Sequence, residues 1–218
     1  MPHDFGLHDL MFLLRGALWT LALSAIAFAG GGLGGLIVAL ARSAKARAVR
    51  GAALGFVRAN QGTPLLIQIF IVFFGANFAG WDISPLLAAA ICFSVNGAAF
   101  LGETWAGCIA AVPDGQWQAA AALGLRRRAT YARVVLPQAA RIAVAPTVGF
   151  LVHLVKGTSL AALIGFVELS RAGQIVNNNT FAPLLVFGII GALYFAICWP
   201  LSLASGRLER RLGDARRA

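Results

Sequence analysis

Lys156-Gly157-Thr158-Ser159 is where this 218-residue chain comes nearest to a nucleotide site. A lysine beside glycine and hydroxyls is what a phosphate-binding loop offers. That loop needs a glycine directly before the lysine and another five residues upstream, and Val155 stands before Lys156. Gly30, Gly32 and Gly35 meet the spacing of a dinucleotide-binding turn, but no strand precedes them and no ribose-binding acid follows at the required distance. Gly30/Gly34 and Gly31/Gly35 read better as pairs of small residues that let helices approach closely. His3, His8 and His153 are scattered, and there is no HExxH, no GxSxG and no close carboxylate pair. No catalytic residue and no metal site are expected, and the chain should not be an enzyme. Cys92, Cys108 and Cys198 are odd in number, lie in apolar stretches and read as small hydrophobes.

What remains is a handful of polar groups in an apolar chain. Hydrophobic residues make up 59% and charged residues 12%, with mean hydropathy +0.79. The charged share is about half of the ~25% usual in soluble domains, which excludes both a soluble globular domain and a disordered chain. Uncharged runs cover Gly16 to Ala41, Ala59 to Trp81 and Ile83 to Gly102. A fourth, Ile142 to Val167, is broken only by Lys156, and a fifth, Ala172 to Gly206, opens on the polar patch Asn177 to Thr180. The expectation is an all-α membrane protein, one transmembrane domain over residues 1–218, with five spans near 16–41, 60–80, 84–110, 142–164 and 182–205. The first run lacks the basic start and cleavage site of a removable leader.

Basic residues orient these spans. All but Arg15, Lys156 and Arg171 fall into three clusters. One is Arg42, Lys45, Arg47, Arg50 and Arg58, in what reads as a loop; the next is Arg126, Arg127, Arg128, Arg133 and Arg141; the last is Arg207, Arg210, Arg211, Arg216 and Arg217. Five crossings put all three on one side, with the N-terminus outside and the C-terminus cytoplasmic. The net charge of +10 is then a topology signal, so no nucleic-acid partner is expected and the surroundings are membrane lipids.

Charges inside spans are costly and are candidates for function. Lys156 is the clearest, Glu103 sits near the inner end of the third span, and Glu168 and Arg171 are placed to pair at a separation of three. Asn96 in the third span suits either helix packing or ligand binding. Between the third and fourth spans, residues 113–140 should be cytoplasmic. Asp114 is a candidate N-cap, Gln116 to Leu123 favours helix, and Gly124 suits a left-handed end. A second, basic helix is expected from about Arg127 to Leu136, stopping at Pro137. Trp117, Ala121 and Gly124 share one face of the first helix. On physics alone this unit either docks in a partner's groove or lies on the membrane surface.

The same loop resembles the EAA loop of ABC importer permeases, most closely the polar amino acid permeases of the histidine and glutamine type. It carries Gly115, Gln116, Trp117, Ala119, Ala120, Gly124, Leu136, Pro137, Gln138 and Ala139 of that pattern. The resemblance extends to Gly62-Thr63-Pro64-Leu65-Leu66, Thr158-Ser159-Leu160, Glu168-Leu169, Arg171-Ala172-Gly173-Gln174 and Arg207-Leu208-Glu209-Arg210-Arg211. It departs at Gln118, where the family has Glu, at Gln61 for Arg, and at Gly157 for Asp.

The resemblance implies an amino-acid permease of the cell inner membrane, working with ABC ATPase subunits and a second permease copy or paralogue. It also implies a periplasmic or lipid-anchored amino-acid-binding protein. ATP and Mg2+ would sit in the ATPase and no cofactor in this chain. Asp114, Gly115, Gln116, Trp117, Gln118, Ala119, Ala120 and Gly124, flanked by Arg126, Arg127 and Arg128, become the expected coupling residues. A zwitterionic solute needs a cation for its carboxylate and an acceptor for its ammonium. Lys156, Thr158, Ser159, Glu168, Arg171, Glu103 and Asn96 are the expected pathway set. An ATP-independent channel or secondary carrier, or a membrane assembly subunit without a transport path, are the alternatives.

Overall fold

The computed structural model describes residues 4–214, with side chains through residue 210. His3, Arg216 and Arg217 lie outside the described residues, as does the Arg211 side chain. The described chain is helical throughout: α1 (Leu7–Arg42), α2 (Arg47–Gly62), α3 (Leu65–Phe78), α4 (Pro85–Ala110), α5 (Asp114–Ala122), α6 (Arg127–Thr130), α7 (Leu136–Gly157), α8 (Leu169–Thr180) and α9 (Pro183–Asp214). A π turn (Tyr131–Val135) joins α6 to α7, and a 3-10 stretch (Thr158–Ile164) follows α7. Four of these segments are long and apolar enough to cross a membrane: α1, α4, the run Arg127–Ile164, and α9. The count reaches five when α2 and α3 are taken as one bent unit.

That bent unit corrects the second span. Residues 60–80 are not one helix, and the stretch read as a loop before them is α2. The axis turns by 96° between α2 and α3. The cause is Pro64, which has no N–H to donate and forces Thr63 to an extended backbone at φ −110°, ψ 128°. At 14 residues, α3 is about 21 Å long, short of a ~30 Å hydrocarbon core. Gln68 fastens the break by donating to the carbonyls of Asn60 (2.8 Å) and Thr63 (2.9 Å).

A second correction lies at Pro137. The basic helix does not stop there; it runs through the π turn into α7, with Pro137 in the first turn of α7. The wider turn takes up the crowding that a proline ring imposes on the carbonyl four residues back. Asp114 is also displaced by one position: it is the first residue of α5, and Pro113 precedes it as the capping residue. The polar patch Asn177 to Thr180 ends α8, and α9 begins at Pro183, beside the expected start of the last span at 182.

The centre of the fold is the parallel contact between α1 and α4. A Cβ added at Gly31 would meet the Gly97 Cα at 3.0 Å, and one at Gly35 would meet the Leu101 Cβ at 2.9 Å. Gly34 faces the Ala98 Cβ at 2.7 Å in the same sense. The paired glycines therefore act in helix packing. Around this contact lie Leu23, Ala27, Phe93, Leu101, Phe150 and Leu154, all buried. Trp105 of α4 donates to the Thr147 hydroxyl of α7 at 2.8 Å.

Described members of the three basic clusters gather at one end. Arg127 and Tyr131 both donate to the Ser43 carbonyl, at 3.3 and 3.5 Å. Ser205 of α9 donates to the Ala145 carbonyl at 3.0 Å, and Cys198 packs with Val152. The two helices are therefore antiparallel, which carries Arg207 and Arg210 to the level of Arg141.

Gly31→Val is expected to destabilise the protein by about 1–3 kcal/mol, because the added carbons meet backbone that cannot move aside. Gly51→Ala, within α2 and with nothing within 4 Å, should not destabilise and should add up to about 1 kcal/mol. Thermal melts in detergent compare the two.

Candidate functional site

The seven expected pathway residues do not form one cluster. Lys156 and His153 are exposed, three residues apart on one face of α7. No ion pair engages Lys156 among the described residues. Ser159, partly buried beyond it, donates its hydroxyl to the Lys156 carbonyl at 2.8 Å. Thr158 is fully buried and donates to the Val155 carbonyl at 2.7 Å. Both hydroxyls thus serve the transition from α7 into the 3-10 stretch. Gly157 packs within reach of Phe93: a Cβ there would lie 3.8 Å from the ring, ordinary van der Waals contact.

Glu168 is fully buried, and its role differs from the pairing expected with Arg171. Its carboxylate accepts the backbone N–H groups of Ser170 (2.9 Å) and Arg171 (2.8 Å), which makes it the N-cap of α8. The Arg171 guanidinium turns instead to Gln174 Oε1 at 3.1 Å. The separation of three carries no ion pair here, because the helix start at Leu169 needs an acceptor for its free donors. Glu168 also accepts from the hydroxyls of Tyr194 (2.9 Å) and Thr20 (3.4 Å), and Thr20 accepts from the Leu169 N–H (3.1 Å). One carboxylate therefore ties α1, α8 and α9 together. Thr20 and Tyr194 escaped the sequence reading, although each is a hydroxyl within an apolar run.

Asn96 is likewise engaged in structure. Its amide donates to Asn60 Oδ1 (3.0 Å), and Asn60 donates to Gln68 Oε1 (3.2 Å), so α4 is bound to the α2–α3 bend. Glu103 stands two helical turns further along α4, paired with Arg42. Arg42 Nε and Nη2 donate to its two oxygens at 2.8 and 2.9 Å. Arg42 had been read only as a topology signal.

At this end of the bundle lies α5. It closes as the sequence implies: Gly124 has φ +68°, and the N–H groups of Gly124 and Leu125 donate to the carbonyls of Ala121 and Ala120. The face expected to carry Trp117, Ala121 and Gly124 together is divided. Trp117 turns inward, edge-to-face on Tyr131 at 5.1 Å between centroids, and packs with Ile109, Val112, Val135 and Ala139. Ala120 is buried with it. The outward surface comprises Asp114, Gly115, Gln116, Gln118, Ala119, Ala121, Leu123 and Gly124, followed by Arg126, Arg127 and Arg128. Leu123 is 78% exposed, a large apolar side chain among small ones. Gln116 accepts from Gln138 at 3.1 Å, which fixes α5 against the start of α7.

Comparison with known proteins agrees with this arrangement. Residues 31–214 match the family model described as binding-protein-dependent transport system inner membrane component. The L-cystine transport system permease protein TcyB of Bacillus subtilis is 38% identical, covering 97% of this chain and 92% of its own. The glutamine transport system permease protein GlnP of Escherichia coli is 33% identical over 92% of each. Among solved structures, an amino acid ABC transporter with histidines superposes with TM-score 0.89 at 27% identity, covering 97% of this chain and 100% of that one. An inward-facing MetNI methionine ABC transporter shares the fold, with TM-score 0.77 at 20% identity over 95% and 99% of the two chains.

The two readings of Glu168 separate by mutation. Removing the cap with Glu168→Ala should cost about 1–3 kcal/mol by leaving buried donors unmet. Arg171→Met should leave the melting temperature nearly unchanged, whereas an ion pair would make the two substitutions equally costly.

Proposed function

This chain belongs to the binding-protein-dependent transport system inner membrane components, and from that premise we propose a working cycle for it as the permease of a polar amino acid importer. It is a multi-pass inner-membrane protein, the permease component of an amino-acid ABC importer. The observation that carries this is the near full-length match to named amino-acid permeases together with the TM-score of 0.89. In the proposed arrangement the N-terminus is outside and the C-terminus cytoplasmic. The meeting of Arg42, Arg127, Arg141, Arg207 and Arg210, drawn from the three basic clusters, at one end of the bundle supports this.

The cytoplasmic end then presents α5 to an ATPase subunit. Its outward Ala and Gly surface admits close approach, Leu123 supplies an apolar anchor, and Arg126, Arg127 and Arg128 stand ready for acidic groups beside it. ATP and Mg2+ bind in that ATPase, not in this chain. A second permease, identical or related, completes the pathway, and an amino-acid-binding protein delivers solute from outside. ATP binding and hydrolysis shift the permease pair between outward- and inward-facing states.

The solute meets Lys156. A lysine on a lipid-facing surface at this depth is costly, so an exposed Lys156 is better accounted for on a water-filled path between the two permeases. It offers a cation to the solute's carboxylate, with Ser159 beside it. Thr158, Glu168, Asn96 and Glu103 act through the helices they hold. The alternatives of an ATP-independent carrier and of an assembly subunit leave the outward face of α5 without a purpose.

Two measurements test the reading. Tagged chain purified in mild detergent should bring down an ATPase, and Gly124→Asp should abolish that recovery; recovery unaffected by the substitution would refute docking through α5. Lys156→Met in the reconstituted importer should raise KM for the transported amino acid about tenfold, in line with loss of one charge-assisted contact. An unchanged KM would remove Lys156 from the pathway.

A further inference from the structure

We propose that Arg42 and Glu103 are positioning residues for coupling, closing a junction that delivers movement of α5 to the α1–α4 pair. This rests on the reading of α5 as the ATPase-docking helix. The junction is continuous from one element to the next. Trp117 of α5 packs edge-to-face on Tyr131. The Tyr131 hydroxyl and the Arg127 guanidinium both donate to the carbonyl of Ser43, the residue that follows α1. Arg42, the last residue of α1, then grips Glu103 of α4 through two hydrogen bonds of 2.8 and 2.9 Å.

Packing at this level joins Trp117 and Tyr131 to Ile109 of α4, in a cluster that holds no residue of α1. A cavity of about 340 Å³ opens here, lined by Arg42, Glu103, Gly107, Trp117 and Tyr131 among others. A displacement of Trp117 therefore reaches the end of α4 directly through Ile109, whereas it reaches the end of α1 through the polar links of Tyr131 and Arg127 to Ser43. Further along, Gly31, Gly34 and Gly35 set α1 directly on α4, so those stretches can only move together. Past Gly102, where a Cβ would meet the Val38 side chain, the helices are joined by the ion pair. Its side chains are 19% and 39% exposed, so its effect on stability is small. Its two-pronged geometry fixes angle as well as distance, which a transmitting joint requires. With the pair intact, α1 and α4 form one lever with its foot on α5. With it broken, the ends of α1 and α4 follow α5 through separate contacts and no longer turn as one.

The test uses the complete importer, permease with its ATPase and binding protein, reconstituted in lipid. Arg42→Met and Glu103→Gln should each lower the amount of solute carried per ATP hydrolysed by about tenfold, the size of a typical coupling between sites. The ATPase should remain bound and hydrolysing. The exchange Arg42→Glu with Glu103→Arg should restore most of the ratio, and Arg42→Lys, which keeps the charge but loses the fork, should fall between. A ratio unchanged in the single variants overturns the proposal. So does a parallel loss of transport and hydrolysis, which marks a merely structural pair. If the exchange variant does not fold, an Arg42→Lys protein indistinguishable from the unaltered one is equally decisive against it. Failure of any ATPase to co-purify with the unaltered chain refutes the docking reading instead.

Discussion

The backbone-to-backbone approach of α1 and α4 is the constraint on which the other contacts depend. In lipid there is little hydrophobic gain in bringing two helices together, so close van der Waals fit and interhelical hydrogen bonds must do it. Gly31 against Gly97, flanked by Gly34 on Ala98 and Gly35 on Leu101, brings the axes near enough for that fit. This spacing puts Phe93, Phe150 and Leu154 in one buried cluster. It also places Arg42 within two hydrogen bonds of Glu103. A wider separation would leave Glu103 without the two Arg42 donors that now satisfy it.

Two polar side chains of the bundle, Gln68 and Glu168, are matched to donors or acceptors that the backbone leaves free. Pro64 breaks a helix and strands carbonyls, and Gln68 takes them up. The start of α8 exposes N–H groups, and Glu168 receives them. Unmet groups of this kind are expensive where water is absent. Lys156 stands apart because no such structural task engages its ammonium among the described residues. That contrast, rather than charge alone, distinguishes it from Glu168 and Glu103.

Much of this was legible in the sequence. Four spans, the glycine packing surface, α5 and its left-handed end at Gly124 all follow from local rules of hydropathy and backbone geometry. The gathering of basic residues follows from their spacing. Three features did not, and each has a physical reason. An uncharged run conceals a sharp bend, because hydropathy does not register Pro64 as a break when both sides are apolar. Proline was read as a stop at Pro137, where a π turn absorbs it. The separation of three between Glu168 and Arg171 signalled a pair, but a capping demand on the same carboxylate prevailed. Partners distant in sequence, such as Thr20, Tyr194 and Arg42, come from tertiary placement, which no single-sequence pattern encodes. The candidate residues follow the same division: residue types marked the candidates, and the hydrogen bonds sorted which of their side chains are already engaged in structure.

The π turn at Tyr131–Val135 has a consequence for the run Arg127–Ile164 as a whole. Each residue of an α-helix advances the azimuth by about 100°, so a turn holding one residue more offsets everything before it from everything after. A helical wheel drawn straight through residues 127–157 would assign Arg127 and Lys156 to the wrong relative sectors. The azimuth of the basic end is thus decoupled from that of the membrane-embedded end. Each half can face its own surroundings, one toward α5 and the end of α1 and the other toward the bundle, without twisting the rod that joins them.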